Sequence, residues 1–202
     1  VLGLNHAKTA ILIVLVNPRA GGLLISGPRG IGKSTLMRST QELIERPWRD
    51  IPVSVTEDRL FGTIDTEKAI YSGQKKLYPG IINEADQGVL YLDDANLLRE
   101  DLLDSILNIA EVGAYQLERD GLSLRCDTSF TVIAAINPES GMLSGACLDQ
   151  FGLFVNVDNI HDENTRVEIL KRTISFEKDC ASFCKLWKLE NEKIKKTIIE
   201  AK

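Results

Sequence analysis

Leu23-Leu24-Ile25-Ser26-Gly27-Pro28-Arg29-Gly30-Ile31-Gly32-Lys33-Ser34-Thr35 is the stretch from which the rest of the chain is read. Residues suited to a buried strand run into G-x-x-x-x-G-K-S, and a helical pattern follows at once. A strand, a Gly-rich loop and a helix in that order form a phosphate-binding loop. Gly27, Gly30 and Gly32 let the backbone turn tightly and direct N–H groups toward an anion. The helix that starts near Lys33 points its positive dipole end at the same spot. Pro28, Arg29, Ile31 and Thr35 complete the loop. Lys33 reaches the β- and γ-phosphates of a nucleoside triphosphate, and the Ser34 hydroxyl holds Mg²⁺. The competing reading is a Gly-rich turn that binds nothing; the complete motif in its strand–helix context weighs against it.

Working outward, Gly88-Val89-Leu90-Tyr91-Leu92-Asp93-Asp94 is an apolar strand that ends in two carboxylates. A buried parallel strand delivers such acids at its C-terminal end, where the binding crevice of an open sheet lies. Asp93 is suited to orienting Mg²⁺ through the metal's water shell, and Asp94 to polarising a water as general base. Phe130-Thr131-Val132-Ile133-Ala134-Ala135-Ile136 is a further buried strand that stops at Asn137-Pro138. Asn137 has two readings: a polar tip that hydrogen-bonds the attacking water or the γ-phosphate, and a turn-forming Asn before Pro.

The remaining segments supply the frame. Helical patterns are expected over Asn5 to Val16, Lys33 to Glu45, Asp162 to Phe176 and Cys180 to Lys202. Leu97, Leu98, Leu102, Leu103, Ile106, Leu107 and Ala110 mark a core-facing amphipathic helix. Val53-Ser54-Val55 is a short strand candidate beyond a loop bounded by Pro47 and Pro52, and Leu153 to Val157 is another. Tyr115 to Glu118 and Leu122 to Arg125 alternate around Asp120-Gly121, a hairpin signal. Thr56 to Ala69 is too charged for a core strand; a functional insertion and a solvated loop both fit it.

Composition limits the alternatives. With 202 residues the chain holds one sizeable domain, or one domain plus a small extension. Its net charge of −5 argues against a nucleic-acid partner, which selects for a basic excess. The longest apolar run, Ala10 to Val16, is too short to span a membrane, and no secretory signal is visible. Cys126, Cys147, Cys180 and Cys184 form no C-x-x-C pair. Cys180 and Cys184 lie one helical turn apart without a nearby histidine, so small hydrophobes in a reducing cytosol are expected rather than a metal site. His6 is expected on an exposed first helical turn. The first residue is Val1 and the last pattern has no stop signal, so both ends read as cut.

With these pieces placed, the chain resembles the AAA+ ATPase module of the magnesium/cobalt chelatase family, I-type and D-type subunits. The resemblance covers nearly the whole chain. Beside the phosphate-binding loop it rests on Thr56-Glu57-Asp58-Arg59 with Gly62 to Ala69, on Pro79-Gly80-Ile81-Ile82, and on Gly88 to Leu98. Glu118-Arg119-Asp120-Gly121 and Leu148-Asp149-Gln150-Phe151-Gly152 complete the series. It implies an α/β P-loop NTPase fold with a five-stranded parallel sheet in the order 5-1-4-3-2, flanked by helices. The hairpin at Asp120-Gly121 matches the family's pre-sensor-1 hairpin, and Asn137 its sensor-1 residue. The implied domain plan is a nucleotide-binding core over 1–176 and a helical linker over 177–202, leading to a lid that lies beyond residue 202. The implied ligands are ATP and Mg²⁺. The implied partners are a homo- or hetero-oligomeric ring, usually a hexamer, and a larger chelatase subunit that inserts the metal into a tetrapyrrole. The implied location is the cytoplasm, or the plastid stroma in a phototrophic eukaryote.

The chain departs from the family pattern where catalysis is completed. The family has Leu-Asp-Arg-Phe-Gly where this chain has Leu148 to Gly152, so Gln150 replaces the arginine finger that reaches a neighbour's ATP. Such fingers contribute about 10³–10⁵ in rate, and a neutral amide cannot supply their charge. Asp94 stands where the family has Glu, one methylene longer. These departures keep a second reading open, a D-type ring scaffold that binds nucleotide with little hydrolysis. A MoxR-like chaperone is a third, disfavoured by the Thr56 to Ala69 stretch.

Overall fold

Apolar runs alternating with amphipathic segments build a parallel sheet that must be covered on both faces. A computed structural model describes residues 1–64, 77–119 and 122–201. In chain order the elements are α1 (Asn5–Val16), β1 (Leu23–Ser26), α2 (Lys33–Gln41), β2 (Trp48–Ile51), α3 (Glu57–Phe61), β3 (Gly62–Ile64), β4 (Leu77–Pro79) and α4 (Ile81–Glu84). There follow β5 (Val89–Leu92), α5 (Glu100–Val112), β6 (Ala114–Arg119), β7 (Leu122–Asp127), β8 (Thr131–Ile136), α6 (Gly145–Asp149), β9 (Leu153–Asn156), α7 (Glu163–Lys178) and α8 (Cys180–Glu200). Asp65 to Ala69 of the charged stretch and the Asp120-Gly121 turn lie outside the described residues.

The main sheet has five strands in the order β2-β5-β8-β1-β9, all parallel. Numbering only these strands along the chain and starting from β9 gives 5-1-4-3-2, the expected order. Side-chain alternation sorts the core into two halves. Leu24, Leu90, Leu92, Val132 and Ala134 pack with α5 on one face. Leu23, Ile25, Val89, Ile133 and Ala135 pack with α1 and α2 on the other, where Ile198 of α8 is also buried. Register then sets the site. Ser26 pairs with Ile136 and Leu92 with Ala134, so β1, β5 and β8 end along one edge of the sheet. β6 and β7 form the expected antiparallel hairpin.

Several local expectations are corrected. The second strand is Trp48–Ile51, not Val53 to Val55. Its two charges hid it. Arg49 and Asp50 are exposed on an edge strand, while Trp48 and Ile51 go to opposite halves of the core. The strand must begin there because Gly88 lies against the Pro47 carbonyl, which accepts from Val89 N at 2.8 Å. Helix α2 stops at Gln41, four residues before Glu45. Leu97 sits in a short 3-10 turn and is exposed, whereas Leu98 is buried. Within the charged stretch, Thr56 caps α3 by accepting from Arg59 N. Cys126 and Cys147 are buried as expected of small hydrophobes; Cys180 and Cys184 are not. Their sulfurs share one face of α8, 3.9 Å apart. On α7 the apolar residues Val167, Leu170 and Ile174 are exposed.

Candidate functional site

The loop after β1 is fixed from below and open above. Gly27 N donates to the Ile136 carbonyl at 3.2 Å, which ties the loop to β8. A Cβ on Gly27 would meet Val157 Cγ2 at 2.5 Å and the Val157 carbonyl oxygen at 2.6 Å, so only glycine fits beneath the loop. Gly30 and Gly32 are needed for a different reason. Their φ values are +79° and +94°, and each faces open space. Left-handed backbone there favours glycine. Helix α2 then begins with no side chain capping its N-terminus, so its first N–H groups remain available to an anion.

Lys33 is buried, and its Nζ donates to the Gly27 and Pro28 carbonyls at 2.6 and 2.9 Å. An ammonium carries three donors, so one remains for a phosphate oxygen. Burial pushes the Lys33 amine below the ordinary lysine value, Asp94 and Asp93 oppose that drop, and the charge on Arg29 adds to it.

The second wall comes from the end of β5. Asp93 Oδ2 accepts from Ser34 Oγ at 2.9 Å, and Oδ1 accepts from the Tyr91 hydroxyl at 2.9 Å. Burial and the Asp93 charge hold the Tyr91 phenol far above its ordinary value, so it acts as a donor. Asp94 follows in left-handed backbone, φ 49° and ψ 47°. Asp tolerates this region better than most residues because its short side chain bonds locally. Its carbonyl accepts from Leu97 N at 2.8 Å, which closes the turn.

These elements enclose an open cleft of about 430 Å³ lined by Arg29, Gly30, Gly32, Lys33, Ser34, Thr35, Asp93 and Asp94. Of the residues expected at the nucleotide, Gly27, Pro28 and Ile31 do not line it. Gly27 and Pro28 hold Lys33, and Ile31 packs against the apolar cluster under α1. The donor set fits Mg²⁺ with a triphosphate. A hydroxyl and a carboxylate, both hard oxygen ligands, meet beside a cation and an uncapped helix N-terminus.

Asn137 directly follows β8. It is 1% exposed at the end of β8, and its Oδ1 accepts from Glu139 N at 3.2 Å. Its Nδ2 donates to Ser140 Oγ at 3.2 Å. The amide engages its own turn at the tip of β8 and does not line the cleft. Sequence reasoning missed Asn96. Its Nδ2 donates to the Asn137 and Gly141 carbonyls at 3.3 and 3.1 Å, joining the acidic turn after β5 to the loop after β8. Nothing in its local sequence pointed across 41 residues to that loop. Gln150 is exposed at the end of α6 and does not line this cleft. Its neighbours are fixed. Phe151 is buried, and a Cβ on Gly152 would come within 1.7 Å of the Ala20 carbonyl.

Residues 22–150 match the family model described as AAA domain, dynein-related subfamily. The 38 kDa magnesium-chelatase subunit of Rhodobacter capsulatus is 34% identical over 235 aligned residues, which cover 100% of this chain and 67% of that protein. A magnesium-chelatase subunit ChlI homolog of Methanocaldococcus jannaschii is 33% identical over 100% of this chain and 66% of its own length. The chain belongs to the magnesium-chelatase branch of the AAA family. A solved complex between subunits BchI and BchD of magnesium chelatase gives the same answer in three dimensions. It superposes with a TM-score of 0.70 at 34% identity, over 96% of this chain and 71% of that one. This chelatase-type AAA domain spans about two thirds of the length of the relatives it matches. Among its described residues no helix is long and apolar enough to cross a membrane, and no group of three or more metal-ligating side chains occurs.

Proposed function

We propose that the protein is an ATP-binding AAA+ subunit of a magnesium- or cobalt-chelatase-like complex, which drives metal insertion into a tetrapyrrole held on a partner subunit. The single observation that supports it most is the meeting of Lys33, Ser34, Asp93 and Asp94 around one cleft at the ends of β1 and β5. The loop N–H groups and Lys33 hold the triphosphate. Ser34 and Asp93 hold Mg²⁺, which when bound offsets charge on the phosphate oxygens. Asp94 polarises the attacking water. Asn137, at the tip of β8, senses the γ-phosphate. The relatives whose names speak of chelatase subunits, and a neighbour that pairs BchI with BchD, support an oligomer with chelatase partners. We place it in a ring, in the cytoplasm or a plastid stroma, with residues 1–176 as the nucleotide core and 177–202 leading to a lid.

One observation favours a second reading, a ring scaffold that holds nucleotide with little turnover. The exposed Gln150 offers a neighbour no positive charge. Purified protein mixed with its chelatase partners, Mg-ATP and a porphyrin decides between them. ATP-dependent metalloporphyrin formation that is lost with Lys33→Ala supports the motor. Metal insertion that persists in Lys33→Ala, with nucleotide still bound elsewhere in the ring, supports the scaffold.

A further inference from the structure

Asp93 is gripped from both sides, and only one of the two grips belongs to the phosphate-binding loop. We propose that Tyr91 is a positioning residue for the Mg²⁺ site, fixing the Asp93 carboxylate through Oδ1 so that Oδ2 faces Ser34. The inference rests on the Mg-nucleotide reading of this cleft.

Tyr91 is the penultimate residue of β5 and Asp93 the first residue of the turn after it, and the Tyr91 hydroxyl reaches the Asp93 carboxylate. The Tyr91 ring is buried, and the Trp48 ring packs against it with centroids 6.0 Å apart. Trp48 is itself held, since its Nε1 donates to Asp50 Oδ1 at 2.7 Å. Asp50 in turn pairs with Tyr91 in the β2–β5 register. The hydroxyl therefore arrives at Oδ1 on a ring with little freedom to move, at 2.9 Å. A carboxylate turns easily about its last torsion, whose profile is broad and two-fold. Donors on both oxygens fix its plane. Ser34 is the other donor, at 2.9 Å on Oδ2, but Ser34 is also assigned to the metal. Tyr91 is the anchor with no second task. A buried phenol takes an acceptor wherever it lies, whereas positioning of a metal-holding carboxylate shows in how binding depends on the metal.

The test titrates a fluorescent ATP analogue against the protein, in EDTA and at rising Mg²⁺, and repeats the series with Mn²⁺ read by electron paramagnetic resonance. Tyr91→Phe keeps the ring and removes the hydroxyl. Partners of metal-ligating carboxylates are worth about 10- to 100-fold in metal affinity. The Mg²⁺ and Mn²⁺ concentrations for half-saturation should rise by about 10-fold at the low end of that range. Analogue affinity in EDTA should stay within about twofold. In an Asp93→Ala background, Tyr91→Phe should add nothing, which reads the coupling even if the ring loosens. An unchanged metal requirement in Tyr91→Phe, or an equal loss with and without metal, overturns the proposal while the nucleotide reading stands. A wild-type protein whose nucleotide binding ignores Mg²⁺ overturns both.

Discussion

The two halves of an AAA active site are built very differently in this molecule. The half that serves the chain's own nucleotide is made by the sheet. β1 and β5 end on one edge, and the residues that follow them are buried, hydrogen-bonded or conformationally restricted. By the resemblance to the chelatase family, the half proposed to serve a neighbour lies at Gln150, an exposed side chain at the end of a five-residue helix. Phe151 and Gly152 are fixed by packing, whereas the Gln150 side chain is exposed and has no partner among the described residues. A residue whose partner lies outside the chain can change without cost to the fold. Lys33 cannot, because two loop carbonyls depend on its ammonium.

That contrast can be broken from the inner side. Lys33→Ala removes a charge-assisted donor and orphans the Gly27 and Pro28 carbonyls. It should weaken Mg-ATP binding by about 10²-fold, measured by equilibrium binding. Binding within about twofold of wild type would show that the loop does not hold the phosphates. Asn96→Leu is expected to act next. It leaves the Asn137 and Gly141 carbonyls without their donor and should lower unfolding free energy by about 1–3 kcal/mol in urea titrations. Its effect on turnover should exceed its effect on nucleotide affinity, because it moves the loop after β8 and not the phosphate-binding loop. An equal effect on both would mean that the two loops are not separately positioned.

The smallest expected effect lies at the far side of the chain. Asp162 caps α7, with Oδ2 accepting from Thr165 N at 2.7 Å and from the Thr165 hydroxyl. Those bonds hold its carboxyl below the ordinary 3.8. A depressed carboxylate stabilises the fold above its unfolded value and loses that contribution as pH falls through the folded one. The first turn of α7 should therefore fray below about pH 3.8, seen as faster amide exchange at Thr165, while Asp162→Asn should flatten that dependence. Exchange that ignores both pH and substitution would remove the capping role.

What could be read from the sequence divides along the same line. The phosphate-binding loop and the acid-tipped strand were legible, because they follow from local periodicity and a motif whose spacing is set by one turn of backbone, whereas the strand order came only through the resemblance to the chelatase family. Trp48–Ile51 was not, since an edge strand tolerates exposed charges and so lacks the apolar signature of β1, β5 and β8. Asn96 and Tyr91 were not, for opposite reasons. Asn96 acts across a long sequence separation, and Tyr91 reads as one more apolar residue in a buried strand until its hydroxyl is seen on Asp93. The exposed stripe on α7 has the periodicity of a core helix, and pattern alone does not tell which partner a stripe faces.

The proposed nucleotide-holding groups Lys33, Ser34 and Asp93 are in place, and under the proposed function the neutral Gln150 is what most limits hydrolysis. The most direct measurement is steady-state ATP turnover at saturating Mg²⁺, with nucleotide affinity taken alongside, for the wild-type protein and Gln150→Arg. Wild type should bind Mg-ATP and turn over slowly. Gln150→Arg should leave affinity nearly unchanged and raise turnover by at least about 10-fold, a part of the roughly 10³–10⁵ that a finger supplies. Rapid wild-type turnover with no gain from Gln150→Arg would contradict it.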